Sequence, residues 1–546
     1  MFDSTACLGL SILGHCAYDP ASPSQLQFPI GGGISAIAIL FLLEQFTDST
    51  AKFRLSIRSW CKKSIPLLFL LAIISIFTAA VLPLIPGQAL PLLGYPIFWE
   101  ILAGLFFIAS IIIFLWSAKR PVKFGTYNYK KYGRACYQII ARGEKDELRQ
   151  LAIEIEHSIN PIFNSIKKVC DPNHVPMHVR HAAAILELWS DKQFCNAIVN
   201  GAFITLFEVI RCAKMISQSE HSVCKNPGKK FISELIKQSM KSEDSLLSRE
   251  NDFSGLGQFK DLTEQIFGDY TFVISDYRPL NAWAIQLNAN KLSPGQIKNY
   301  FLALRTSIKT CLKENTFKSY YPNPFLSPFE NLFSLTYSMA GKLKNLPEND
   351  AFESFPYLIL SEISSGFSRI IDEFNDHEIP PTNIDPVTYN HLHDSSIYGV
   401  VSWGIFKFFE GLSACLANDD LVRGIAIVPW SSITYSFQPN RQIYDRVSFH
   451  VLDKAKDNLG RLHYPLIIRL IINLDGISEP QESNSDPTLI LHNDIMNLLK
   501  RNYKKVFETK SEFAKEMLPA SAYYDETNNI LIKKYLGDGT SSLSLE

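Results

Sequence analysis

Three groups of residues in this sequence have types and spacing that could do chemistry. The densest is Cys170, His174, His178 and His181, in CDPNHVPMHVRH. A thiolate beside imidazoles is a ligand set suited to zinc. A continuous helix would place His174, His178 and His181 on one face at i, i+4 and i+7. Pro172 and Pro176 make the start of the stretch irregular, and the spacing matches no established zinc motif. Surface or packing roles therefore carry more weight than metal binding. The second group is His391, His393 and Asp394 in NHLHDSS, with Asp376, His377 and Glu378 upstream. These types serve metal or acid–base chemistry. The other elements of such a site are not recognisable, so a polar loop ahead of a helix at 395–417 is the expectation. The third is Glu100, the one charge in the 22-residue apolar run 95–116. An intramembrane carboxylate suggests function by default. Its place, about 8 Å from the end of the run at helical rise, also lets it reach the interface.

Other motifs are weak or missing. Gly228-Lys229 lacks the glycine five positions earlier that a P-loop needs. Gly255 and Gly257 are a lone G-x-G in a polar stretch. The sequence holds no G-x-S-x-G, H-E-x-x-H or kinase signature. No C-x-x-C pair occurs among its ten cysteines, against zinc ribbons and thioredoxin-type redox sites. Cys7 and Cys16 flank the apolar segment LGLSILGH and could close a disulfide if that end faces an oxidising compartment. No cofactor is expected, and catalytic residues are unknown. With 53 Lys and Arg against 54 Asp and Glu, the chain lacks the broad positive field of a nucleic-acid binder.

The elements that must position these residues begin with long apolar runs. Residues 65–85 carry no charge and residues 95–116 carry only Glu100. Each is long enough to cross a hydrocarbon core of about 30 Å as a helix. Residues 28–46, with Gly31, Gly32 and Gly33, form a third, shorter run whose small residues suit close helix contact. Lys52, Arg54, Arg58, Lys62 and Lys63 lie between the runs 28–46 and 65–85. Lys119, Arg120, Lys123, Lys130, Lys131 and Arg134 follow the run 95–116, whereas 86–94 is uncharged. The positive-inside rule then places the N-terminus outside and the C-terminal part in the cytoplasm, in a cell membrane such as a bacterial inner membrane. The second basic cluster could also meet anionic headgroups.

The fold class expected is a mainly α membrane protein: three N-terminal transmembrane helices, then a large, mostly helical cytoplasmic domain with minor β. Its parts are an extracytoplasmic segment (1–27), a transmembrane domain (28–118), a helical domain (119–380) and a C-terminal subdomain (381–546) with a linker at 478–487. Ser293-Pro294 and Ser327-Pro328 read as helix starts. The apolar stretches 422–437 and 464–474 fit strand or buried helix equally. A hairpin is expected around Asn528-Asn529, then a loose tail at 537–546. Three function classes remain: a membrane-anchored interaction or sensor protein binding a partner or ligand, an oligomeric pore-forming or membrane-perturbing effector, and an anchored enzyme with an unrecognised site. The partners expected are the lipid bilayer and a protein partner or further copies of the chain.

Overall fold

The structure is a computed structural model, and it describes residues 48–81, 96–167, 174–217, 225–241, 261–275, 277–284, 292–314, 324–375, 396–413, 419–434, 441–457, 461–480, 489–535 and 539–546. The chain is mainly helical with a small sheet. It divides into two compact units, residues 1–212 with 221–228, and residues 213–220 with 229–546. Position 380, the expected subdomain boundary, lies in the range of the second unit.

The first unit is organised around a helical hairpin. Helix α1 (Ser49–Ile57) is followed by α2 (Ser59–Val81) and α3 (Pro96–Lys119). Two helices, α2 and α3, are long and apolar enough to cross a membrane; the run expected at 28–46 lies outside the described residues. At 1.5 Å per residue, α2 and α3 reach about 35 Å, more than a hydrocarbon core requires. Both extend beyond the apolar runs, to Ser59 and Lys119, because a helix need not end where hydropathy does. They pack through small side chains. Ala72, Ser75 and Ala79 of α2, and Ala103, Ser110 and Ser117 of α3, are buried. The α3 set repeats every seven residues, the spacing that keeps one seam against a partner helix. Outward lie Leu67, Leu70, Phe77, Ile101, Leu105 and Ile112, all exposed.

The stretch 47–64 is not the loop expected. Asp48 caps α1 by accepting from the backbone of Thr50 and Ala51, and a single residue, Arg58, separates α1 from α2. Beyond the hairpin, α4 (Tyr129–Arg142), α5 (Lys145–Glu154), α6 (Glu156–Lys167), α7 (Met177–Trp189), α8 (Lys192–Gly201) and α9 (Phe203–Ser217) follow. Helices α8 and α9 are together apolar enough to count as a third crossing segment, but the chain bends by 112° between them. Phe194, Ile198, Leu206 and Val209 of this pair are buried within the protein.

The second unit continues with α10 (Lys225–Lys241), α11 (Asp261–Phe267), α12 (Pro294–Lys313), α13 (Leu326–Leu343), α14 (Phe355–Asn375), α15 (Ile397–Ser413), α16 (Asp419–Thr434), α17 (Arg441–Ala455), α18 (Pro465–Asp475), α19 (Leu489–Thr509) and α20 (Ser511–Glu516). Ser293 caps α12 with a full capping box to Gln296. The start at Ser327-Pro328 falls one residue inside α13. The two ambiguous apolar stretches are helical where they are described, in α16 up to Thr434 and in α18. Glycines let rings enter helix–helix contacts: a Cβ on Gly366 of α14 would lie 2.2 Å from the Phe301 ring of α12.

Strands β1 (Ala522–Asp525), β2 (Ile530–Lys534) and β3 (Thr540–Ser544) form an antiparallel sheet in chain order. The expected hairpin is present, with Asn529 left-handed at φ 56°. The expected loose tail is not: residues 540–544 pair with β2, and Leu543 is buried opposite Leu531. The Ser-rich sequence conceals a strand in which Leu543 alternates with polar residues, with Leu545 just beyond its end.

Candidate functional site at the base of the hairpin

Helix α1 stands between the end of α3 and the helices that follow it, and its buried side chains hold both. Phe53 and Ile57 turn inward, and Phe53 meets the Tyr132 ring of α4 edge-on at 5.5 Å. One turn apart on α1 and its end, Arg54 and Arg58 reach across to the last turn of α3. Arg54 Nη1 donates to the carbonyls of Ala118 (2.6 Å) and Lys119 (2.7 Å). Arg58 Nη1 donates to Ser117 O (2.6 Å), and its Nη2 to Arg120 O (3.0 Å) and Pro121 O (3.2 Å). The last four carbonyls of a helix have no partner within it and carry the negative end of its dipole. Here the Arg54 and Arg58 guanidiniums satisfy three of them, on Ser117, Ala118 and Lys119, while Trp116 O accepts from Arg120 N.

Arg54 faces the other way as well. Its Nε and Nη2 donate to Glu154 Oε1 (2.9 Å) and Oε2 (2.5 Å) at the end of α5, a bidentate pair whose carboxylate side chain is 2% exposed. Glu154 Oε1 also accepts from Val122 N at 3.2 Å. Ser158 of α6 donates to Val122 O and accepts from Phe124 N. Thus one carboxylate and one hydroxyl hold the segment leaving α3, while Arg54 joins that carboxylate to α3 itself. Arg58 and Arg120 both lie over the Trp116 ring, at 5.2 and 5.0 Å. Burial lowers the pKa of Arg58 below its ordinary value. Among the described residues, the joint thus holds three guanidiniums, Arg54, Arg58 and Arg120, around the Glu154 carboxylate.

No family model, curated protein or solved structure matches this chain. The site is read from its own geometry.

Among the described residues, those singled out by type and spacing do not converge on one site. Helix α7 begins at Met177, so His174 precedes it and cannot share a helical face with His178 and His181. His181 packs edge-on to Tyr129 at 4.7 Å. Cys170, and His391, His393 and Asp394 with Asp376, His377 and Glu378, lie outside the described residues, as do Cys7 and Cys16. Glu100 is half-buried in the second turn of α3. Among the described residues, no three His, Cys, Asp or Glu side chains are grouped to hold a metal ion. The five described free cysteines are buried. Burial pushes the Cys136 and Cys212 thiols up to about 12, which keeps them protonated and poorly nucleophilic.

Sequence reasoning missed a second polar node, in the second unit. Asp419, at the start of α16, takes Arg469 of α18 in a bidentate pair (2.9 and 2.7 Å) and accepts from Ala520 N at 2.6 Å. Lys533 points from β2 into the interior and donates to Ile472 O (2.7 Å) and Asn473 O (3.3 Å), in the last turn of α18. Burial brings its ammonium down to about 8. Asp475 accepts from Trp430 Nε1 at 2.8 Å, and burial pushes its carboxyl up to about 6. This node fastens the sheet to α16 and α18. Among the described residues its charged groups are held by one another, by backbone and, for Asp475, by the Trp430 indole.

Proposed function

We infer that the chain is a membrane-anchored interaction or sensor protein, in which helices outside the bilayer bind a partner or ligand and α1 couples their state to the hairpin. The observation that carries this reading is the double grip of Arg54, on Glu154 of α5 and on the final carbonyls of α3. A simple anchor needs no such joint. The hairpin's outward side chains are apolar, and its buried serines, Ser75 and Ser110, face inward. This favours an anchor over the lining of a pore. With a further crossing at 28–46, the loop charges would set the N-terminus outside and the helical units in the cytoplasm.

The test is in situ crosslinking in native membranes, followed by capture of the full chain and mass spectrometry. A stoichiometric partner crosslinked to residues 129–217 supports the reading. Recovery of the chain crosslinked only to itself, with ion flux after reconstitution, would replace it with the effector reading. Reporters after residue 24, within 86–94 and at the C-terminus give the topology; a cytoplasmic signal from 86–94 would reverse it.

A further inference from the structure

The joint has more positive charge than it uses, and the excess lies where a headgroup would be. Cys61 Sγ accepts from Ser117 Oγ at 2.9 Å, and the Trp60 and Trp116 rings lie 6.1 Å apart. These contacts align the start of α2 with the end of α3. At that level the two indoles are 54% and 42% exposed, and Lys63, Lys119 and Arg120 are exposed around them. None of the three cations forms an ion pair among the described residues. Among the described residues Glu154 is the carboxylate that reaches the joint, and it is taken by Arg54 and Val122. Glu100 belongs to the opposite end of α3, nearly thirty ångströms away at helical rise. Arg120, moreover, shares the Trp116 ring with Arg58, so two like charges sit over one indole, and among the described residues neither forms an ion pair.

We propose that Lys63, Lys119 and Arg120, framed by Trp60 and Trp116, bind the headgroup of an anionic phospholipid. A guanidinium matches two phosphate oxygens at once, and an ammonium supplies a mobile point charge. Exposed indoles at the end of a crossing helix sit at headgroup depth. The bound phosphate supplies the negative charge missing beside Arg58 and Arg120. This rests on the hairpin crossing a bilayer, and on nothing about which partner the helical units bind.

The full chain is reconstituted into vesicles of phosphatidylcholine alone, or with about 30 mol% phosphatidylglycerol, and floated on a gradient. Comigration with both vesicles establishes insertion, and failure to float with either would overturn the anchor itself. Spin-labelled phosphatidylglycerol and phosphatidylcholine then report the protein-bound lipid fraction. Each basic residue near an anionic surface contributes about a fivefold preference, so the wild type should favour phosphatidylglycerol by about fivefold or more at low salt. The triple variant Lys63→Gln, Lys119→Gln, Arg120→Gln should fall to about parity, whereas Lys63→Arg, Lys119→Arg, Arg120→Lys should retain the preference, which separates lost charge from lost fold. Inorganic phosphate should displace the lipid no better than chloride at equal ionic strength. A wild type without preference, or a triple variant that keeps it, rules the site out. Stronger displacement by phosphate would assign these residues to a soluble anion instead.

Discussion

Glutamine at position 154 removes one charge from the joint and almost no volume. Breaking a buried ion pair typically costs about 3–5 kcal/mol, because the remaining charge stays desolvated. The Arg54 side chain is 18% exposed and keeps its two carbonyl acceptors on α3. The expected cost of Glu154→Gln is therefore lower, about 2–3 kcal/mol. Arg54→Met should cost more, about 3–5 kcal/mol, since it strands a carboxylate that is 2% exposed and also frees two helix-terminal carbonyls. Global melting is a poor assay for a chain with two units. Hydrogen exchange of the full chain in lipid nanodiscs reads the opening locally. A loss of about 2–3 kcal/mol corresponds to roughly 30- to 150-fold faster exchange across α1 and at residues 122–124. The double variant should show a coupling of about 2 kcal/mol between the two positions. If both single variants exchange within about threefold of the wild type there, the double grip is not a mechanical joint.

Further outcomes follow from the second unit and from the histidines. Because the folded carboxyl of Asp475 holds its proton to about 6 rather than 3.8, the folded state binds more protons than the unfolded chain between those values, and the group's contribution to stability falls as pH rises through them. Asp475→Asn, which keeps an acceptor for Trp430, should flatten that part of the pH profile in denaturant titrations. Gly366→Ala should destabilise the second unit by about 1–3 kcal/mol through overpacking against Phe301, seen as a lower denaturation midpoint with an unchanged slope. Purified full chain should hold less than about half an equivalent of zinc by elemental analysis, and stoichiometric zinc lost in His178→Ala with His181→Ala would reverse that reading of the cluster.

The legible parts of this fold are those where one physical effect dominates a long stretch. Hydrocarbon thickness makes the runs behind α2 and α3 plain, and the capping box at Ser293 marks a helix start that four residues encode. The stretch behind α18 was ambiguous because it is buried on most sides and shows no period; that behind α16 buries one face, but Val428, apolar and exposed on the other, blurs the period in the sequence. The joint was legible only as charge. Arg54 and Arg58, spaced i and i+4, read as part of a basic loop, and their real partners are carbonyls some sixty residues away and a carboxylate a hundred residues away. No local pattern distinguishes Glu154 from the exposed acids around it, such as Glu144 and Asp146. Lys533 is hidden for a similar reason: a lysine on the inward face of a strand contradicts the alternation that would reveal the strand.

The break at Arg58 has a mechanical consequence. Two helices joined through one residue have two torsions of freedom, and here they stand at φ −83° and ψ 75°. The same residue's side chain is tied to three carbonyls of the neighbouring strand of chain, so both torsions are braced from outside. A hinge without slack transmits angle rather than absorbing it. A helix in a bilayer adjusts its tilt to the local thickness, and any such tilt of α2 would swing α1 by nearly the same angle.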